Sequence, residues 1–480
     1  MFRLKKNIFI PIFLYLFCVS VYLLFLSNSV LLVDGYKRFD LTESLVEEGR
    51  FIKECRFPPG QSLAQIPFYL TGKLVVSPFD LEEPLYVSKF FVNLIDLMVV
   101  PLIVVFLFFI FRQIGFSAKV SVTVSLLYAF CTMAFHYSRF NSYEPLLTLY
   151  LVISCYCLVR WRASSRLGYF LVFALILFLL PVHHFTMFLL VGVIYLFLFL
   201  KRKELNLRYA HLVLATISIA AAAGFCMYYN YARYGSLWLT GYHAGVGIDA
   251  DLGWNPRIYQ GIYGLLLSPA KSIFLYNPVL ILSIIAARQF FRERRDSVIG
   301  FYIIVPFLFL LLFYSAWWSF CGECAWGPRF LFPAIPFLMI PAAVFIRDFR
   351  WKRTWVKTTA VLIVSLSLII QLVSIVVHFK HFYFVLSPYL GTSDITSVQA
   401  LRLNYQPVLS QFVIFYRAFS HPDYFDLRWF KEFSIHPLIY GTIIGLLVLG
   451  ASGSFYLLQR SSSLFKSGCE SKRREKKVDG

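Results

Sequence analysis

Charge is scarce in this chain. Only 15% of its 480 residues are charged, and acids are the rarer sign, 25 Asp and Glu against 45 Lys and Arg. No polar stretch is long enough to fold as a soluble domain. With 59% hydrophobic residues and a mean hydropathy of +0.70, an ordinary soluble protein is excluded. Alternation of apolar and polar residues is also lacking. The apolar runs are continuous, which argues for spanning helices and against a β-barrel. Nine cysteines give no disulfide framework. Cys18, Cys131, Cys155, Cys157 and Cys226 lie in apolar runs, as small core residues do. Cys55, Cys321 and Cys324 fall outside them, where oxidation depends on the compartment.

The net charge of +20 invites a nucleic-acid reading, but its distribution excludes one. Basic clusters sit between apolar runs, at Arg3/Lys5/Lys6, Arg160/Arg162/Arg166, Lys201/Arg202/Lys203, Arg292/Arg294/Arg295, Arg347/Arg350/Lys352/Arg353 and Lys472/Arg473/Arg474/Lys476/Lys477. Every second junction is basic, as the cytoplasmic face of a membrane protein requires. The expected fold is an all-α polytopic membrane protein of about 12 transmembrane helices. The spans fall near 8–33, 88–111, 118–137, 144–159, 167–182, 184–200, 209–229, 263–287, 297–318, 329–347, 356–378 and 436–458. Both termini are then cytoplasmic. The first run is too long, and lacks a small-residue cleavage site, to be a signal peptide, so it reads as a retained helix. Residues 1–458 form the membrane domain, and 459–480 form a basic cytoplasmic tail expected to be disordered against anionic lipid.

The outer loops are 34–87, 138–143, 230–262, 319–328 and 379–435. In the first, Thr42 to Glu48 carries apolar residues at helical spacing and reads as an amphipathic interfacial helix. Pro58-Pro59-Gly60 then breaks the chain, and Leu63 to Val76 is too short to span, which suits a second interfacial helix. The same loop opens on Asp34-Gly35-Tyr36-Lys37-Arg38-Phe39-Asp40, directly after the first apolar run. Charge packed where a chain leaves the bilayer is costly unless something is bound or transferred there. Asp34 and Asp40 are candidate general bases toward an acceptor hydroxyl or amine. A second acidic position, Glu144, lies with Arg139 in the very short loop between two spans, which must therefore be neighbours. Arg139 and Glu144 are also placed to pair with each other. Lys89, Asn93 and Asp96 make one polar stripe on the second span, at i, i+4 and i+7.

These features, in this order, resemble the glycosyltransferase C superfamily, multi-spanning enzymes that use polyprenyl-phosphate sugars. The protein mannosyltransferases and the lipid A aminoarabinose transferases are members. The likeness rests on Asp34 after the first span, Pro58-Pro59-Gly60, and the short loop with Arg139 and Glu144. It extends to Gly264-Leu265-Leu266-Leu267-Ser268-Pro269 with Tyr276-Asn277-Pro278, and to Trp326-Gly327-Pro328-Arg329-Phe330-Leu331-Phe332-Pro333. The resemblance implies that Asp34 is the catalytic base and that Glu144 orients the acceptor or helps hold a metal. A divalent cation is the one cofactor it admits. It also implies cations around the donor's lipid phosphate, for which the candidates are Arg56, Arg139, Arg329, Lys73 and Lys271. The implied partners are a polyprenyl-phosphate sugar, a lipid, glycan or protein acceptor, and membrane lipid. The implied location is a bacterial inner membrane. In the aminoarabinose transferases a lysine precedes the proline pair; here Phe57 stands there with Arg56 before it. Related proteins often have an arginine where this chain has His183-His184.

Rival functions are a transporter or flippase, a polysaccharide polymerase or ligase, and an inactive relative. Transporters tend to show internal repeats with polar groups near the midplane; no repeat is visible here. A polymerase or ligase would favour arginines and a histidine in a large outer loop, as Arg402, Arg417, His421 and Arg428 supply. Asp249-Ala250-Asp251 lacks the preceding strand of a nucleotide-sugar site, and Cys321-Gly322-Glu323-Cys324 lacks the second pair of a zinc site.

Overall fold

The structure is a computed structural model that describes residues 2–27, 33–77, 84–245, 253–254, 257–322, 325–379, 381–382, 406–427 and 441–459. Helix is the regular secondary structure of its described residues, which have three isolated antiparallel bridges and no strand. Six helices are long and apolar enough to cross a membrane: Leu85–Gln113, Tyr143–Ser164, Tyr209–Tyr234, Ser297–Ser315, Thr354–Val376 and Gly441–Gln459. Five shorter apolar helices accompany them, at Phe9–Leu24, Ala118–Cys131, Leu167–His183, Met187–Leu200 and Arg329–Leu338. The chain is therefore an all-helical, polytopic membrane protein.

In chain order the first elements are α1 (Phe2–Leu24), α2 (Val33–Glu47), α3 (Gly60–Val76), α4 (Pro84–Asn93), α5 (Ile95–Gln113) and α6 (Ala118–Cys131). They are followed by α7 (Ala134–Tyr137), α8 (Tyr143–Ser164), α9 (Leu167–His183), α10 (Met187–Leu200) and α11 (Tyr209–Tyr234). Helix α5 is the centre of the first half, packing on α1, α6 and α8, while α9 joins α8 to α11. Large apolar side chains on α9, α10 and α11, such as Leu175, Leu196 and Ile217, are exposed, as a lipid-facing surface requires.

Several expected spans are not continuous helices; the one at 118–137, for example, divides into α6 and α7. The first span leaves helical conformation after Leu24, and a new helix begins at Val33. Asp34 thus stands in the first turn of α2 rather than in a loop. The run at 263–287 divides into Ile258–Leu266, Ile273–Tyr276 and Leu280–Glu293. The breaks fall at Ser268-Pro269 and Asn277-Pro278, since proline supplies no N–H and disfavours helix in the residue before it. The run at 329–347 divides likewise into a 3-10 turn, Arg329–Ala334, and two short helices, Ile335–Leu338 and Ala342–Arg347, among Pro333, Pro336 and Pro341.

Broken backbone at membrane depth must find partners inside the protein, and here it does. Asn277 Oδ1 accepts from the Met133 N–H at 2.7 Å, while its amide donates to the Ile273 carbonyl at 2.8 Å. Tyr137 donates to the Trp326 carbonyl at 3.0 Å. The end of α6, the 268–278 segment and the Trp326 segment therefore lean on one another.

Helices α2 and α3 pack on each other, and α3 also packs on α4. Phe39 meets Tyr69 with ring centres 5.7 Å apart. Thr42 donates to Gln65 Oε1 at 2.7 Å and Ser62 to the Arg38 carbonyl at 2.9 Å. Gly60 lies so close to α9 that a Cβ there would come within 2.5 Å of the His183 Cα. The Pro-Pro-Gly break therefore seats the start of α3 directly on the end of α9.

Candidate active site

Four of the expected site residues meet at the end of the bundle where α2, α3, α8 and the 3-10 turn converge. Asp34 and Arg38 are one turn apart on α2 and share a face. Arg56 comes from the segment before Pro58-Pro59, which is fastened to α11: Tyr229 donates to the Phe57 carbonyl at 2.8 Å and Arg233 to that of Cys55. A Cβ on Gly241 would lie 2.4 Å from the Arg56 Cα, so the next outer loop can cover this segment only because that residue is glycine. Glu144 is in the first turn of α8. Arg329 opens the 3-10 turn, and its side chain passes so near Gly322, at φ +67°, that a Cβ there would lie 2.9 Å from its Cγ.

The charges form a chain of contacts. Arg329 Nη1 donates to Asp34 Oδ2 at 3.2 Å, and its Nε lies 3.9 Å from Glu144 Oε1. Arg56 Nη2 lies 3.6 Å from Asp34 Oδ1. Asp34, Arg56 and Arg329 are about one-fifth to one-quarter exposed, whereas Glu144 is fully buried. Both Glu144 carboxylate oxygens and Arg329 Nε are buried without a hydrogen-bond partner among the described residues. Burial raises the Asp34 pKa, but Arg329, Arg38 and Arg56 together more than offset this and hold it below the usual carboxylate range. Asp34 is therefore an ionised acceptor of protons flanked by guanidinium groups.

Arg38 belongs to the same group, though sequence reasoning did not single it out. Its guanidinium carbon sits 3.9 Å from the centre of the Phe57 ring and 5.3 Å from that of Tyr143. The signal was present in the sequence: Arg38 is four residues from Asp34 on a helix. Tyr143 also receives His184, stacked at 4.8 Å, and its carbonyl is 2.9 Å from His183 Nε2. The two histidines thus wall the site through Tyr143.

The remaining expected residues are elsewhere. Arg139 does not pair with Glu144. It is fully buried and bonds Asp426, at 3.1 Å to Oδ2 and 2.8 Å to the carbonyl. Ser27 donates to the same carboxylate at 3.0 Å. The pair ties the α7–α8 loop to a segment 287 positions away, and its charge is spent there. Lys73 pairs with Glu47 at 2.7 Å in a partly exposed brace between α2 and α3. Lys271 is buried and donates to the Ala325 and Gly327 carbonyls at 2.6 and 3.4 Å. Asp40 faces Lys37 and Lys89; burial raises its pKa, which the two lysines partly offset. Lys89 lies over the Tyr36 and Phe39 rings. Asn93 and Asp96 hold the start of α8: Asn93 Oδ1 accepts from the Asn141 N–H at 3.0 Å and Asp96 Oδ2 from that of Ser142 at 2.7 Å. The polar stripe is thus a clamp on the helix that carries Glu144.

No group of three or more His, Cys, Asp or Glu among the described residues is gathered as a metal site requires. Asp34 and Glu144 flank Arg329 instead, an arrangement that does not fit a shared cation. Asp249, Asp251, Glu323, Cys324, Arg402, Arg428 and the tail lie outside the described residues; Cys321 is buried.

Fold and site together define a polytopic helical membrane protein with a guanidinium–carboxylate cluster at one end of its bundle. Neither a protein-family model nor a curated protein matches the sequence. Among solved structures, ArnT from Cupriavidus metallidurans in the apo state aligns over 95% of this chain and 76% of its own, at 13% identity and a TM-score of 0.49. The same protein bound to undecaprenyl phosphate aligns over 95% and 77%, at 13% identity and 0.48.

Proposed function

We propose that this chain is a membrane glycosyltransferase, moving a sugar from a polyprenyl-phosphate donor to a lipid, glycan or protein acceptor. The reaction takes place at the non-cytoplasmic face, with both termini in the cytoplasm of a bacterial inner membrane. The observation that carries the reading is the Glu144–Arg329–Asp34–Arg56 chain of contacts at the mouth of an apolar bundle. A lipid-linked donor approaches sideways from the bilayer and presents its phosphate at the interface, where these residues meet.

In this reading the acceptor oxygen or nitrogen attacks the anomeric carbon while the bond from that carbon to the phosphate oxygen breaks. The phosphate leaves with the bonding electrons. Arg56 and Arg329 receive its charge; a guanidinium has five N–H donors and can hold a carboxylate and a phosphate together. Asp34 takes the acceptor's proton. Because its neighbours keep it ionised, it is ready to do so across the physiological range, and such base catalysis is worth about 10²- to 10⁴-fold. Glu144 holds Arg329 from the buried side and so fixes its direction. Partial closure of the site limits the access of water to the donor.

The test is transfer of radiolabel from polyprenyl-phosphate sugars to a lipid-extract acceptor in membranes bearing wild type or Asp34→Asn. Wild type should transfer, and a normally expressed Asp34→Asn should lose at least ~10²-fold. Equal transfer by both would remove Asp34 from the base role. Absence of transfer from every donor class would remove the reading itself.

A further inference from the structure

We propose that Asn141 is a positioning residue for the reaction, the hub that keeps the Asp34-bearing helix α2 and the Glu144-bearing helix α8 at a fixed separation. The proposal rests on the sugar-transfer reading and adds a residue to it. A guanidinium between two carboxylates draws both onto itself, to about 2.7–2.9 Å, where nothing opposes it. Around Arg329 this closure is incomplete. Asp34 Oδ2 stands at 3.2 Å and Glu144 Oε1 at 3.9 Å. Both Glu144 oxygens are buried without a hydrogen-bond partner among the described residues. Glu144 is therefore held where the backbone of α8 puts it, and not where Arg329 would draw it.

What holds that backbone is a buried amide network centred just before α8. Asn141 is 2% exposed, and Gln61, Gln65 and Thr42 are no less buried. Asn141 Oδ1 accepts from Gln65 Nε2 at 2.8 Å and from Gln61 Nε2 at 3.1 Å, both on α3. Gln61 also donates to the Ser142 carbonyl at 3.3 Å. Gln65 carries the connection onward, its Oε1 accepting from Thr42 at 2.7 Å. Thr42 lies on α2, about two turns along from Asp34. From the opposite side Asn93 and Asp96 accept from the Asn141 and Ser142 N–H groups. One side chain thus links the helices of both site carboxylates through α3. Buried amides are costly unless bonded, and a bonded network fixes a single arrangement of the elements that share it. Without the hub, the start of α8 is free to let Glu144 close on Arg329. Arg329 then turns from Asp34, which is left with Arg38 on its own helix and Arg56 from the segment before α3.

The experiment uses the full chain in membranes and measures transfer from polyprenyl-phosphate sugars for wild type, Asn141→Ala and Trp161→Phe. Trp161 is the control, a buried donor to the Leu205 carbonyl at the far end of α8. Both variants should melt lower than wild type. Only Asn141→Ala should lose kcat, on the order of tenfold or more, with the donor KM little changed. Its acidic limb should also move toward neutrality, because Asp34 has lost its nearest counter-charge. The limb of Trp161→Phe should stay in place. If folded Asn141→Ala keeps the kcat and the limb of the control, the network is only a brace and the proposal falls. Should Asn141→Ala not fold, Gln65→Met keeps the volume and opens one arm of the hub. A smaller loss of kcat with the same direction of limb shift then supports the assignment, and an unchanged limb overturns it. A wild type that transfers from no donor class overturns the sugar-transfer reading and this role with it. Transfer by wild type with an unmoved limb in the variants removes Asn141 alone.

Discussion

At the scale of residues, the site is an exercise in keeping a carboxylate charged where burial opposes it. Burial raises the Asp34 pKa, and Arg329, Arg38 and Arg56 lower it by more. The sign for activity follows. A base is useful only when deprotonated, so the acidic limb of the rate should lie below the ordinary carboxylate range. Removing one guanidinium should move that limb upward. Arg56→Gln is the mildest choice, because Arg56 is partly exposed and its contact with Asp34 is the longer of the two, 3.6 against 3.2 Å. The expected shift is toward neutrality, read from the pH dependence of kcat in the transfer assay. A limb that stays in place would mean that Asp34 is not the titrating base. The same linkage governs stability: the pairs of Asp34 contribute at neutral pH and are lost as pH falls through the folded-state pKa.

At the scale of elements, the Pro-Pro-Gly break sets where Arg56 and α3 stand, and Gly60 is its tightest point. Gly60→Ala would put a Cβ 2.5 Å from the His183 Cα and 2.8 Å from the Val182 carbonyl oxygen, both backbone atoms that cannot turn aside. Overpacking of this kind costs about 1–3 kcal/mol. The variant should melt several degrees lower, and transfer should drop because α3 and the Arg56 segment part from α9. Gly168→Ala, in helix α9 with open space around its Cβ, is the control and should leave both unchanged. Comparable melting of the two variants would show that the contact is loose. Most elements could be read directly from apolar runs and basic junctions. Asp34 and Glu144 stood out because acids are rare in this chain and both follow membrane-length runs. What could not be read depends on contacts between distant positions. Phe57 and Tyr143 clamp Arg38 only once α2, α3 and α8 are packed. Arg139 chooses Asp426, 287 positions on, over nearby Glu144. The breaks at 263–287 and 329–347 were announced by proline, but a proline-bearing apolar run reads equally well as a kinked helix.

At the scale of the whole molecule, the two ends of the bundle carry different kinds of charge network. One end has the site, where positive groups outnumber the carboxylates that hold them. The other has tight pairs at the basic junctions: Arg347 with Glu293 at 2.6 Å, Arg347 with Asp348 at 2.8 Å, and Arg162 with Asp296. Asp296 also caps its helix by accepting from the Val298 and Ile299 N–H groups at 3.0 and 3.1 Å. The basic junctions carry the larger count of Lys and Arg, and such loops remain in the cytoplasm because moving them across the bilayer is opposed. The site should then face the opposite compartment, which a lipid-linked donor carried across the membrane would require. Introduced cysteines can decide this in a chain with Cys324 and Cys469 replaced by serine, because the cysteines among the described residues are all buried. Ala163→Cys, at the exposed end of α8 beside the basic junction, should resist a membrane-impermeant maleimide in intact cells and react after permeabilisation. Leu237→Cys, exposed just beyond α11 on the side of Arg56, should react in intact cells. The reverse pattern would put Asp34 in the cytoplasm, where nucleotide sugars are at hand, and a soluble donor would then replace the lipid-linked one.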